Sequence, residues 1–388
     1  MTAPPTAPIR YSLWQLTRYF LRLGALGFGG PVALVGYMHR DLVEQRGWIA
    51  EADYKEGIAL AQIAPGPLAA QLAIYLGYVH YRVLGATAAG LAFVLPSFLM
   101  VLALGWAYRT LGGLPWMQAV FYGVGAAVIG IMAISAHKLA TRNLKSDRML
   151  WAIFAALALV TIITQSEIAW LFIAAGLLVW LSRCRPRPSP GALGAALPLP
   201  LPLLPAATDP GLLLQLTVFF AKAGAFVFGS GLAIVPFLYG GIVSEHHWLT
   251  DKQFVDAVAV AMITPGPVVI TTGFIGYLVA GLPGACLAAL ATFLPCYLIT
   301  VLAAPHFKKH GKRPGLMAFV DGITAAAIGA IAGSVVVLAQ RSLTDLPTAL
   351  LAICTAGLLW RWKTLPEPVI VAGAALLGIA LFPLTHRF

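Results

Sequence analysis

Long apolar stretches separated by short polar gaps run through the whole chain. Stretches near the ~20 residues that one bilayer crossing needs fall at Leu13–Tyr37, Asp53–Val79, Leu84–Tyr108, Met117–Leu139, Met149–Thr164 and Ile168–Leu181. A second set falls at Leu212–Tyr239, Phe254–Val279, Leu282–Ala304, Leu316–Gln340, Leu346–Trp360 and Pro368–Leu384. This pattern predicts an all-α polytopic membrane protein of about 12–13 segments, with the short fifth and sixth stretches forming a tight hairpin. Two stretches are interrupted. Ile63-Ala-Pro-Gly-Pro-Leu68 recurs as Ile263-Thr-Pro-Gly-Pro-Val268. Two prolines around a glycine cannot continue a helix, since each lacks an N–H and crowds the preceding turn. Lipid tolerates such a break only where protein buries it or a wet cavity meets it.

The second set is a copy of the first. At an offset of 200, Gln15-Leu16-Thr17 meets Gln215-Leu216-Thr217, Phe28-Gly29 meets Phe228-Gly229, and Trp48 meets Trp248. After one deletion the offset becomes 199, and Gly77, Gly85, Leu95-Pro96 and Gly123 meet Gly276, Gly284, Leu294-Pro295 and Gly322. The chain therefore divides into a first membrane repeat, residues 1–187, a Pro-rich linker, 188–210, and a second repeat, 211–388. Matched breaks in two repeats are a sequence pointer to a transporter's substrate site.

Composition agrees with the pattern. The chain of 388 residues is 60% hydrophobic and 10% charged, against ~25% charged in soluble proteins. Its net charge of +11 sits in the gaps rather than on a basic face interleaved with aromatics, which argues against nucleic acid. The gap charges set orientation. Lys138, Arg142, Lys145 and Arg148 follow the fourth stretch, and Arg183, Arg185 and Arg187 the sixth. Counting back puts the N-terminus in the cytoplasm, with the chain multi-pass in the plasma (inner) membrane. In the second repeat Lys308, Lys309, Lys312 and Arg313 follow the third stretch, a gap of opposite parity, which favours inverted halves. Inversion requires the linker to cross, yet Pro198, Pro200, Pro202 and Pro205 make it a poor helix. Parallel halves joined by a cytoplasmic linker are the alternative.

Four cysteines, Cys184, Cys286, Cys296 and Cys354, lack metal-type spacing and read as small buried hydrophobes. No Walker A loop, nucleophile elbow or HExxH motif is present. Neither an ATP-driven pump nor an enzyme is indicated, and no cofactor is expected.

The chemistry concentrates at the breaks. Arg22-Leu-Gly-Ala-Leu-Gly-Phe28-Gly29-Gly30-Pro31 is matched by Lys222-Ala-Gly-Ala-Phe-Val-Phe228-Gly229-Ser230-Gly231. A cation within a spanning stretch is costly and functional by default. Beside exposed N–H groups at a helix start it suits an anion. Interfacial snorkelling of Arg22 and Lys222 is the alternative. Pro65-Gly66-Pro67 and Pro265-Gly266-Pro267 complete the expected substrate site, with Gln62 and Thr264 as added donors. Gln62 meets Met262 in the other copy, so the halves are chemically unequal. Glu56 and Asp256 pair across the repeat two turns before the triplets and could relay a proton, or else form salt bridges with Lys55 or Lys252. Arg40 and Arg46 could steer anions at the mouth or form a solvated face. Trp48 and Trp248 read as interfacial anchors.

Phe28-Gly-Gly-Pro31 with Gly36-Tyr37 and Trp48, then Gln62-Ile-Ala-Pro-Gly-Pro67 with Gln71 and Gly77, resembles the chromate transporter family in its long, two-domain form. The resemblance covers both halves. It implies export of chromate, with sulfate as a tetrahedral analogue that competes or exchanges, and homologous halves in opposite orientation. The departures are Gly231 where the first copy has Pro31, Leu34 after Ala33, and Ala69-Ala70 after the triplet. A sulfate carrier and a passive anion channel are alternative functions. The partners expected are an inorganic oxyanion, the bilayer and, as an option, a second copy of the chain.

Overall fold

The computed structural model describes residues 11–28, 30–111, 115–164, 169–184, 211–225, 227, 234–310, 314–362 and 367–385. The linker 188–210 lies outside them. The described residues are helical, without strands. In the first half α1 (Leu13–Leu26), α2 (Gly30–Met38), α3 (Glu51–Ile63) and α4 (Leu68–Leu111) precede α5 (Pro115–Leu144), α6 (Arg148–Thr164) and α7 (Ala169–Arg183). The second half repeats the order with α8 (Leu212–Ala225), α9 (Ile234–Tyr239), α10 (Asp251–Ile263) and α11 (Thr271–His310). Then follow α12 (Pro314–Ser342), α13 (Leu346–Arg361) and α14 (Glu367–Thr385). Four helices, α4, α5, α11 and α12, are long and apolar enough to cross a membrane.

The first two apolar stretches of each half do not run straight through. They fold in two. α3 holds 13 residues, only about 20 Å of helix, and the Pro-Gly-Pro triplet turns the chain back on itself. A Cβ added to Gly57 would strike Leu72 and Tyr75, residues about as far beyond Gly66 as Gly57 is before it. α1 and α2 form a similar hairpin around Gly27. Tyr11 stacks on Trp48 at 4.9 Å, Tyr19 reaches Asp41, and Tyr54 donates to the Val35 carbonyl. The second half repeats this, with Phe219 against Gly241 and Trp248.

α4 and α11 are themselves bent double. The backbone breaks at Arg82 (φ 52°) and at Gly281 (φ 64°). Across each bend a glycine pair, Gly77 with Gly85 and Gly276 with Gly284, brings the two arms into backbone contact. The longer arm of each crosses the whole thickness, roughly 40 Å.

The halves are inverted. The Arg82 bend sits at the face where α1 begins, since Tyr81 donates to the Tyr11 carbonyl. We call this the near face. The other end of α4 meets the second half's bend. Gly105 packs on Tyr277, Tyr108 bonds Asp256, and Arg109 lies beside Gly281. The two bends therefore stand on opposite faces, and each half's hairpins enter from its own side.

Two helical bodies result. One collects α1–α4 and α8–α11. The other interleaves the last three helices of each half, with α5 against α13 and α14, and α12 against α6 and α7. Polar ties fasten this second body across the halves. Arg183 bridges Asp147 and Asp321 on the near face, and Tyr122 donates to Asp345 at 2.6 Å on the far face. The joint between bodies is one-sided. α10 packs against α5, α12 and α14, whereas its counterpart α3 rests on α4 and α11. Leu91, Leu95 and Leu99 on α4, with their counterparts Leu290, Leu294 and Leu298 on α11, form exposed stripes. Such apolar surface belongs in lipid. The protein is a multi-pass membrane protein.

Candidate functional site

Four hairpin tips meet halfway through the protein, and their backbones are cross-bonded between halves. The Gly66 amide donates to the Val227 carbonyl at 2.5 Å, and the Gly266 amide donates to the Gly27 carbonyl at 2.9 Å. Gly27 and Val227 are counterparts at offset 200, so one bond is the image of the other. Both glycines have left-handed φ, +141° and +98°. Both are also hemmed in by the crossing helix of the other half: a Cβ at Gly66 would strike Cys296, and one at Gly266 would strike Ser97. Ser97 and Cys296 are themselves counterparts at offset 199.

Helix starts surround this junction. α2 and α4 begin at the tips, as does the short 3-10 turn Val268–Ile270 that leads into α11. The first amides of a helix have no acceptor inside it and carry the positive end of its dipole. After the first triplet the earliest amide engaged by a backbone carbonyl in this way is that of Gln71, bonded to Pro67. The amides of Gly66 and Gly266 are committed to these carbonyls and are not free for a ligand.

Sequence had pointed to several of these residues. Gly66, Pro67, Pro265, Gly266 and Pro267 are buried at the junction, and Pro65 is half-buried. Gly30 and Pro31 form the first turn of α2, where proline is tolerated, and Phe28 is half-buried before it. Gly29, Phe228, Gly229, Ser230 and Gly231 lie outside the described residues. Gln62 is exposed, whereas Met262 is 4% exposed. Thr264 turns its hydroxyl back to the Val260 carbonyl at 2.7 Å. Arg22 and Lys222 stand exposed on α1 and α8, about a turn before the tips.

Both acids lie beside tyrosines. Asp256, 3% exposed, accepts from Tyr108 at 2.8 Å, and half-buried Glu56 lies beside Tyr75. Lys55 pairs instead with Glu51. Arg40 binds Asp41 at 3.0 Å and covers Tyr37, while Arg46 lies over the Tyr19 and Trp48 rings. Both arginines thus sit in the near-face aromatic cluster. Cys296 is buried as expected, but Cys184 and Cys286 are only partly so and Cys354 is exposed. Its place on the outer face of α13 is compatible with lipid, which a small apolar thiol suits as well as a core.

Sequence reasoning assigned no role to Ser97 or Tyr108, read Cys296 as a buried hydrophobe, and met Gln71 only among the residues of the family resemblance. The repeat offset aligns Ser97 with Cys296 beside Leu95-Pro96 and Leu294-Pro295, a signal that was available. Gln71 is wholly buried and donates to the Pro65 carbonyl at 2.7 Å, bracing the first triplet. Nothing in the apolar pattern distinguishes it from its neighbours.

Comparison with known proteins agrees with this architecture. The family profile described as Chromate transporter matches residues 14–180 and again residues 214–379. The chain is 70% identical to the "Chromate transport protein" of Cupriavidus metallidurans, over 98% of this chain and 96% of that protein. It is 62% identical to the "Probable chromate transport protein" of Synechococcus elongatus, over 95% of each. It is 33% identical to the "Chromate transport protein" of Pseudomonas aeruginosa, over 98% of this chain and 94% of that protein. No solved structure matches. With a profile that matches once in each inverted half and relatives alike from end to end, the chain belongs to the chromate transporter family.

Proposed function

We propose that the protein carries chromate out of the cytoplasm by alternating access, and so confers chromate resistance. The observation that carries this reading is the reciprocal junction of Gly66 with Val227 and Gly266 with Gly27. It gathers helix starts from both halves halfway across the protein, where a dehydrated dianion needs N–H donors and positive dipole ends. The names of the relatives supply the substrate. Arg22 and Lys222 balance its charge, and the amides around Gly29–Gly30 and Gly229–Gly231, with those following Pro67 and Pro267, replace its water. Gln62, exposed just before the first tip, adds a side-chain donor. Sulfate, of the same shape and charge, competes or exchanges.

The near face is cytoplasmic in this reading, in the plasma (inner) membrane. The support is charge: Lys138, Arg142, Lys145, Arg148 and Arg183 gather there. Residues 188–210 then carry the chain across between repeats. Transport is driven by exchange with sulfate or with protons, through Glu56 or Asp256.

The test is uptake of labelled chromate by inside-out membrane vesicles containing the protein. Uptake should exceed that of control vesicles, fall with excess sulfate, and collapse when the driving gradient is dissipated. Uptake equal to control sinks the chromate reading. Uptake that follows chromate's own electrochemical gradient and ignores the proton and sulfate gradients makes the protein a channel.

A further inference from the structure

Glu51 and Asp251 are counterparts that open α3 and α10 on opposite faces, and they are bonded differently. Asp251 accepts from the Tyr239 hydroxyl at 2.6 Å and from Arg341 at 2.7 Å. The Arg341 guanidinium lies 5.3 Å from the centre of the Tyr239 ring. Glu51 binds His39, the counterpart of Tyr239, at 2.8 Å and Lys55 at 3.1 Å. The counterpart of Arg341 is Arg142. Offset 199 aligns Leu139-Ala140-Thr141-Arg142 with Leu338-Ala339-Gln340-Arg341, at the ends of α5 and α12. Arg142 is exposed and is not among the partners of Glu51.

The missing bond goes with missing packing. Residues Phe254 to Met262 of α10 are all buried, beneath α5, α12 and α14. On α3, Glu51, Ala52, Lys55 and Gln62 are exposed. The helical body that carries the tips thus leans on the other body mainly through α10 of the second half, with Tyr108 of α4 against Phe121 of α5 beside it. The far-face side of the joint is packed, and α3 on the near-face side is exposed. Inverted repeats make the opposite state accessible, because whatever one half does in one state its copy can do in the other.

We propose that Arg142 and Arg341 are alternating latches. Here Arg341 holds Asp251 and keeps the far face shut. In the opposite state Arg142 takes Glu51, closing the near face over α3, and Arg341 releases Asp251. Partly exposed ion pairs are weak, so either latch can open thermally and neither traps the protein. The proposal rests on the alternating-access reading above, and it gives Arg142 a role in transport beyond setting orientation.

Paired cysteines test it in protein whose Cys184, Cys286, Cys296 and Cys354 are replaced, Cys296→Ser borrowing the residue of its counterpart Ser97. One variant carries Glu51→Cys with Arg142→Cys, a second Asp251→Cys with Arg341→Cys, and a third carries all four. Membrane vesicles are treated with a bifunctional thiol reagent and the links mapped by mass spectrometry. Each pair should link within one molecule, either link should abolish transport, and the four-cysteine protein should never carry both. Separately, Arg142→Ala should raise the yield of the 251–341 link, and Arg341→Ala that of the 51–142 link. If 251–341 links but 51–142 never does, Arg341 is a fixed tie and the proposal falls. It falls equally if both links occur in one molecule, or if 51–142 joins two molecules. Linking needs no substrate. Alternating links in a protein that moves no chromate would leave the latch standing and sink only the substrate.

Discussion

The amide of Gly66 and the carbonyl of Val227, from opposite halves and opposite faces, are 2.5 Å apart. The bond explains why the triplet needs glycine. At φ +141° a side chain is strained, and a Cβ would also be driven into Cys296. Gly266 repeats both conditions against Ser97. The two glycines therefore fasten the halves tip to tip.

Gly66→Ala and Gly266→Ala should each destabilise the protein by about 1–3 kcal/mol from backbone strain alone, and the overlap adds to this. Gly36→Ala is the contrast. It lies inside α2 with open space around its Cα, where alanine should be neutral or favourable. Thermal unfolding of the three variants in detergent measures the difference. Equal melting temperatures for Gly66→Ala and Gly36→Ala would contradict the junction.

Arg22→Ala and Lys222→Ala should each lower chromate uptake by roughly tenfold, the equivalent of about 1.4 kcal/mol of lost charge interaction. Neither side chain is packed, so the amount of folded protein should not change. Uptake by both variants at the wild-type level would assign the two cations to the interface.

Arg183 ties α6 and α7 to α12 by bridging Asp147 and Asp321 on the near face. Its hydrogen bond holds the Asp147 carboxyl below the usual range. A lowered carboxylate contributes stability that is present above its unfolded pKa of ~3.9 and is lost as pH falls through the lower folded value. Arg183→Gln should therefore reduce the melting temperature at pH 7, by up to about 1 kcal/mol of stability for so exposed a pair. The gap to wild type should close below about pH 4. A gap that persists in acid would mean that Arg183 acts by packing.

Sequence carried the repeat, the inversion and the importance of the breaks, because rare residues at fixed offsets and charges of opposite parity are local facts. It did not carry the fold of the broken stretches. Leu13–Tyr37 is long enough to cross, and only the contacts Tyr11–Trp48 and Tyr19–Asp41 reveal that it returns. The Gly66 and Gly266 amides read as anion donors, yet tertiary structure gave each a carbonyl from the other half. The difference between Gln62 and Met262 was visible as composition. Its structural counterpart, Gln62 exposed on α3 and Met262 packed within α10, required the packing of α10.

Asp256, buried in the second half, is tied across the junction, whereas its counterpart Glu56 is half-buried beside a tyrosine of its own hairpin. Asp256 on α10 takes its hydroxyl from Tyr108, on the first half's crossing helix. Glu56 lies beside Tyr75, within the same hairpin. The counterparts of Tyr108 and Tyr75 are Phe307 and Phe274, so neither half can repeat the other's arrangement. In the alternating-access reading, opening the far face would pull α10 from its neighbours and strain the Asp256 bond, while Glu56 and Tyr75 would move together with their hairpin. Proton coupling should therefore depend on Asp256. Tyr108→Phe should cost about 1–3 kcal/mol, the penalty for a buried acceptor left without a donor. Asp256→Asn keeps an acceptor for Tyr108 and should fold, but its transport should lose dependence on external pH, whereas Glu56→Gln should retain it. Initial rates of chromate uptake across a pH series decide between them. A flat profile in Glu56→Gln with a normal one in Asp256→Asn would move the proton path to the first half.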